Sequence, residues 1–197
     1  TSMYVVPTEL YHSLQIYSVK LIRQFVLHTD GSRTPTDEDF KIKTLHHKSN
    51  VISICYNAAR GILVSITKAG KAKIWQISFA PTAITSKKIS SLKMAFPPND
   101  NVVDGSYMDG NRLVIWSSGS INLFNLANPE KPTLLDKGVG MFGSNSTHIT
   151  DIQSHDNALL ICDNRNTVSM WNYNMDQTLH KKSSVCLGDS FYNRILV

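Results

Sequence analysis

The sequence predicts an all-β fold made of repeated strand units, and three observations predict it. Its apolar runs are four to six residues long, rich in Val, Ile, Leu and Tyr, and show no sustained helical periodicity. A closing aromatic recurs at Tyr17, Trp75, Phe124 and Trp171, at intervals of 58, 49 and 47 residues. Gly70, Gly119 and Asn166 each stand five residues before the aromatic of their unit, where a tight turn between antiparallel strands needs a residue that tolerates positive φ.

The units follow in order. Segment 3–19, MYVVPTELYHSLQIYSV, is a degraded one, with two apolar runs around a polar break. Segment 62–77, ILVSITKAGKAKIWQI, is the clearest: a β-rich run, a turn carrying Gly70 and an alternating run that closes on Trp75. LVIWSSGSINLFNL (113–126) and ALLICDNRNTVSMWNY (158–173) repeat that grammar. Ala59-Arg60-Gly61, Asp109-Gly110 and His155-Asp156-Asn157 mark the turns that precede these runs. A period of about 45 residues made of short strands is the signature of a β-propeller blade. The expected blade segments in the single region 1–197 are 1–44, 45–92, 93–140 and 141–184, with 185–197 starting a further blade.

Residues 45–77 resemble one Trp-Asp (WD) repeat. His46-His47 stands at that family's Gly-His pair, Val51 to Tyr56 at its inner strand, Ser65 at its hydroxyl position, Gly70 at its turn glycine and Trp75-Gln76 at its Trp-Asp. The resemblance implies four-stranded antiparallel blades. It also implies that His47, Ser65 and Trp75 belong to a buried hydrogen-bond chain tying neighbouring strands together. Lys68-Ala69 occupies the place of the aspartate that would end that chain with a charge-assisted bond. In the other units Asn145 stands near the histidine position and Phe124 replaces tryptophan, as in a divergent member.

Leu45 to Val51 has an echo in Leu179 to Val185, so the chain is expected to stop within the second strand of another blade, while its first residues match the second and third strands of one. Residues 185–197 would either pair with 3–27 and close a ring of about four blades, or the chain is an arc of a larger ring, usually about seven blades. The arc is the expected arrangement. An arc exposes strand edges that a partner or further sequence must cover.

Metal chemistry fits poorly. His46 and His47 are adjacent, and in an extended segment their side chains point to opposite faces, so only one could join a site with Cys55. Cys55, Cys162 and Cys186 are too far apart for a metal clip or a disulfide framework, and they fit a reducing compartment. No nucleophile elbow or phosphate loop occurs, and GVGMFG (138–143) lacks the strand and helix that would give its glycines a phosphate-binding role. His148 and His155 around Asp151 read as strand-edge and turn residues. No catalytic, metal or cofactor site is expected, and the chain reads as a non-enzyme.

With 20 Lys and Arg against 15 Asp and Glu, the net charge of +5 permits acidic proteins, nucleic acid or anionic lipid as partners and demands none. No apolar run approaches the roughly 18 residues of a membrane span, and no signal-peptide pattern opens the chain, which reads as cytoplasmic or nuclear. The function expected is a protein-protein interaction scaffold in a multiprotein complex. The alternative is anion recognition, of nucleic acid or phosphoinositide, through a lysine-rich face. Candidate partner-binding residues are Arg33, Asp37, Glu38 and Asp39 in the loop 28–40, Phe96 in the connection 93–101, and Lys68, Lys71, Lys73, Lys87 and Lys88. In the family a connection such as 28–40 joins outer to inner strands on the top face, where partners bind.

Overall fold

The computed structural model describes residues 3–7, 13–28, 34, 36, 41–79, 84–94, 96, 103–138, 148–155, 157–176 and 178–187. They form four antiparallel meanders in chain order. The first has three strands, β1 (Met3–Pro7), β2 (Ser13–Ser18) and β3 (Lys41–His46), with helix α1 (Val19–His28) between β2 and β3. The second is β4 (Val51–Asn57), β5 (Ile62–Thr67), β6 (Lys71–Phe79) and β7 (Ile84–Lys93). The third is β8 (Val103–Asp109), β9 (Arg112–Ser117), β10 (Ile121–Asn125) and β11 (Thr133–Gly138). The fourth is β12 (Ile149–His155), β13 (Ala158–Asp163), β14 (Thr167–Tyr173) and β15 (Leu179–Cys186). These are propeller blades.

The repeat that spacing suggests is also a repeat of irregularities. In every blade the ladder shifts register directly before the closing aromatic, at Ile16/Tyr17, Ile74/Trp75, Leu123/Phe124 and Met170/Trp171. A second shift recurs in the innermost strands, at Val51/Ser53, Val103/Gly105 and Ile149/Asp151. Bulges bend a strand and increase its twist, so placing them at equivalent positions gives successive blades the same curvature.

Central strands β5 and β9 are almost wholly buried because both of their faces are covered. Leu14, Ile16 and Leu45 of the first blade pack on Leu63, Trp75 and Ile77 of the second. The opposite face of the second blade, with Val64, Ile66 and Ile74, packs on Leu113, Ile115 and Phe124 of the third. The third in turn meets the fourth through Val114, Trp116, Leu159 and Trp171. Among the described residues no core cluster joins the fourth blade to the first.

Four expectations need correction. Residues 19–28 are helical: Val19, Ile22 and Val26 recur at helical spacing with Arg23 and Gln24 exposed between them, a periodicity confined to ten residues. The connection 28–40 joins β2 to β3 of one sheet and leaves at the end opposite His46, because Tyr17 pairs with Lys41 and Ser13 with His46. It is therefore no outer-to-inner connection. Val185 pairs with Val168 and Cys186 with Thr167, so these two residues belong to the outer strand of the fourth blade, while 188–197, the rest of the expected further blade, lie outside the described residues. The echo between 45–51 and 179–185 is one of composition only. Finally, Gly70 and Asn166 have positive φ and Gly119 does not; there the Ser117 amide bonds to the Ser120 carbonyl and closes the turn differently.

Gly61 is fixed twice over. Its φ is +63°, and a Cβ there would run into the Ile77 carbonyl, while the Gly61 carbonyl accepts the Ile77 N–H at 2.7 Å. Gly110 has φ +53° with open space around it. Gly61→Ala is therefore expected to lower stability by about 3 kcal/mol and Gly110→Ala by about 1 kcal/mol. Urea unfolding midpoints at unchanged m-value would check the difference.

Candidate functional site

His47 follows β3 directly, Ser65 is central in β5 and Trp75 stands in β6 beside the register shift of the β6–β7 ladder, so the end of the first blade's outer strand meets two adjacent strands of the second blade. The Trp75 Nε1–H donates to Ser65 Oγ at 2.8 Å. His47 Nε2 lies 3.0 Å from the same oxygen, and the Lys73 carbonyl lies 3.4 Å from it. The His47 and Trp75 rings meet edge-on with centroids 5.9 Å apart. Ser65 has no exposure at all, His47 only 9% and Trp75 8%. His47 Nδ1 is buried and has no partner among the described residues; Lys68-Ala69 supplies no carboxylate there. Burial first, then the Lys73 and His46 charges, lowers the His47 pKa from 6.5 to about 4, so the ring is neutral at physiological pH.

In the fourth blade the same need is met from another strand. Ile161 occupies the position of Ser65, and the Trp171 Nε1–H donates instead to Ser169 Oγ, two residues away on its own strand, at 2.9 Å. The repeat spacing does not mark Ser169; the Ser-x-Trp order does, since two residues along a strand share a face.

Polar side chains also join neighbouring blades. Ser106 Oγ lies 2.7 Å from Ser53 Oγ and 3.0 Å from Cys55 Sγ, and the Tyr107 hydroxyl lies 2.9 Å from Ser154 Oγ. Arg60 donates to the Leu126 carbonyl at 2.7 Å, to the Ala127 carbonyl at 3.0 Å and to Asn111 Oδ1. Arg112 donates to Asn157 Oδ1 at 3.1 Å while its guanidinium lies 3.9 Å from the centre of the Tyr173 ring. None of these residues stands out by motif; their roles follow from which turns the packing brings together.

Cys55 pairs with Val64 and so shares the face that packs on the third blade, whereas Ser65, and with it His47, lies on the other face. Burial pushes the Cys55 thiol up to about 11, far from a reactive thiolate. Among the described residues no three His, Cys, Asp or Glu side chains gather in a metal-holding group. Asp163 accepts the Arg165 and Thr167 amides at 2.9 and 3.0 Å, and Asp151 accepts the Ile152 amide at 2.9 Å, so both carboxylates serve turns and bulges.

Of the candidate partner-binding residues, Arg33, Asp37, Glu38 and Asp39 lie outside the described residues. Phe96 is half-buried and packs on the core between the second and third blades. The lysines divide by register. Lys71 and Lys73 alternate with Ala72 and Ile74, and so share the face of Trp75; Lys88 pairs with Trp75 and joins them. Lys87 pairs with Gln76 and faces the other way, because consecutive strand residues point to opposite faces. A patch containing both is therefore corrected to one containing Lys88 alone. Lys68 is exposed in the turn, with its amide bonded to the Asn50 carbonyl at 3.0 Å.

Two outcomes follow for the buried network. Ser65→Ala leaves two buried nitrogen groups without a partner and is expected to cost about 2 kcal/mol, against about 1 kcal/mol for Ser169→Ala, which strands one. Chemical denaturation of the two variants would measure the gap. His47 binds its proton less readily folded than unfolded, so its contribution is whole above pH 6.5 and is lost as pH falls toward 4. Thermal midpoints across that window should fall less steeply in His47→Asn than in the parent.

The comparisons with known proteins agree with this architecture. The computationally designed protein Ika4 superposes with a TM-score of 0.58 at 16% identity, over 87% of this chain and 86% of its own. Sqt1 of Saccharomyces cerevisiae gives a TM-score of 0.56 at 15% identity, over 72% of this chain and 36% of its own. A chain of the mitotic checkpoint complex gives 0.60 at 14% identity, over 95% of this chain and 49% of its own. The chain thus spans less than half the length of the Sqt1 and checkpoint chains. No family model matches the chain, and no curated protein matches it by sequence. What the chain shares with these structures is the fold, that of the β-propeller.

Proposed function

We propose that the chain is a non-catalytic interaction scaffold: a divergent WD-repeat-like propeller, or an arc of one, acting as a subunit of an intracellular multiprotein complex. One observation carries this reading. The polar side chains described above hold blade to blade, as Ser106 does with Cys55, and strand to strand, as Ser65 does with His47 and Trp75. A frame of that kind works through what its rim and loops present. His47, Ser65 and Trp75 are accordingly assigned a structural role.

Two further findings support the arrangement. The blades pack in chain order, first on second and so on to the fourth, as in an arc. The Sqt1 and checkpoint chains that share the fold are more than twice as long as the part matched, and the second belongs to a protein assembly by its description. Among the described residues no helix is long and apolar enough to cross a membrane. Anion recognition through the lysine face remains the second reading, favoured by the convergence of Lys71, Lys73 and Lys88 on one face.

A tagged chain expressed in its native cells, cross-linked and fractionated by size, tests the first reading. The expected result is co-migration with other polypeptides in fixed stoichiometry that survives salt of about 0.5 M, where exposed charge contacts are screened. Elution as a monomer in every fraction would overturn it, and assemblies that dissolve steeply with salt would favour the second reading.

A further inference from the structure

Charge is distributed unevenly along this chain. Between Asp39 and Asp100 it carries ten Lys and Arg residues and no acidic one, although the whole chain has a net charge of only +5. That stretch contains β3 and the entire second blade. The fold then sorts these charges by face. Lys71 and Lys73 share the face of Trp75, Lys93 pairs with Lys71, and Lys88 pairs with Trp75. On the neighbouring blade Lys43 pairs with Ile16 and therefore shares its face. Ile16 and Trp75 belong to the core between these two blades, so all five lysines lie on the faces that the blades turn toward each other.

The seam has a well-anchored centre. Lys73 Nζ donates to the His46 carbonyl at 2.6 Å and lies 5.6 Å from the centre of the Trp75 ring, half-buried where His47 enters the network. Burial and then the ammonium groups of Lys88 and Lys48 hold its pKa below the ordinary lysine range. Like charges that raise one another's energy, with no carboxylate among the described residues of either blade, form a field that an incoming anion would relieve.

We propose that the seam between the first and second blades, lined by Lys43, Lys48, Lys71, Lys73, Lys88 and Lys93, binds an acidic polypeptide segment in extended form. The inference rests on the reading of the chain as an interaction scaffold and names the chemistry of one partner. Lys71 and Lys73 are two residues apart on a strand, about 7 Å, which is also the spacing of same-face side chains in an extended peptide. Lysines spread along strands match a line of carboxylates better than a single phosphate group. Stacking of single-stranded bases needs an exposed aromatic platform, and Trp75 is already covered by Lys73 and His47. A bilayer surface favours lysines beside exposed apolar side chains, whereas Val26 and Leu27 belong to α1, which leaves the first sheet at the end opposite His46.

The test is titration of the whole chain with a twelve-residue peptide of alternating Glu and Ser, beside a single-stranded oligonucleotide and phosphatidylserine vesicles. The peptide is expected to bind with a roughly micromolar Kd at low salt, and Lys71→Glu/Lys88→Glu to weaken it at least tenfold. Both residues are exposed, so circular dichroism should show the variant folded. Lys181→Glu/Lys182→Glu on β15 changes the net charge equally and should leave binding within about twofold, as should Lys71→Arg/Lys88→Arg. The chain has three tryptophans, and in a nitrogen-proton NMR spectrum the peptide should move the Trp75 indole signal and not those of Trp116 or Trp171. Equal loss in the β15 variant, an unmoved Trp75 signal, or binding of oligonucleotide or vesicles in preference to the peptide would overturn the proposal. If peptide binding fails while the chain still migrates in its assembly, the seam falls and the scaffold reading stands.

Discussion

Everything in this chain depends on burying sheets from both sides. A strand such as β5, ILVSIT, buries all six of its residues, and a single sheet sitting on a one-sided core cannot supply that cover. Each blade therefore requires a neighbour on each face. The second blade has both, with Leu63 and Trp75 turned toward the first and Val64 and Ile74 toward the third. Stability is thus shared between neighbours, as in other repeat architectures, and a blade at the end of the series keeps one face in need of cover.

Polar groups in such an interior must find partners close at hand, and the blades solve this in different ways. Trp75 reaches across to Ser65 on the adjacent strand, while Trp171 uses Ser169 on its own. The requirement is a buried acceptor within about 3 Å of the indole N–H, and either strand can provide it. That is why the tryptophan can persist while the residues around it drift. The missing carboxylate beside His47 follows the same logic: an imidazole whose pKa has fallen to about 4 stays neutral and needs no counter-charge, although its Nδ1 is left buried without a partner.

Much of this was legible in the sequence, and the rest was hidden for physical reasons. Tyr17, Trp75, Phe124 and Trp171 can be picked out by spacing because they hold the same strand position in successive blades, and all four stand beside the register shift of that strand and its outer neighbour. His47, Ser65 and Trp75 are legible through the one repeat that departs least from the Trp-Asp pattern. Helix α1 is less so, because its apolar residues keep helical spacing over only ten residues, too short a run to stand out beside the β-rich segments. Gly119 misleads because glycine permits positive φ without requiring it. Lys87 and Lys88 look like one feature in the chain, yet alternation sends them to opposite faces. Arg60 and Arg112 could not be found at all, since their partners are set by packing between blades.

Surface charge shows the same division between chain and fold. Ten basic residues without an acid are plainly visible in the letters between Asp39 and Asp100, but whether they repel harmlessly over a wide surface or converge is decided by strand register. The bulge at Ile74/Trp75 matters here. By shifting the β6–β7 ladder it sets Lys88, and not Lys87, opposite Trp75, on the face that Lys71 and Lys73 already occupy. The regular β5–β6 ladder turns Trp75 into the core, and the irregular β6–β7 ladder beside it brings Lys88 to the same face.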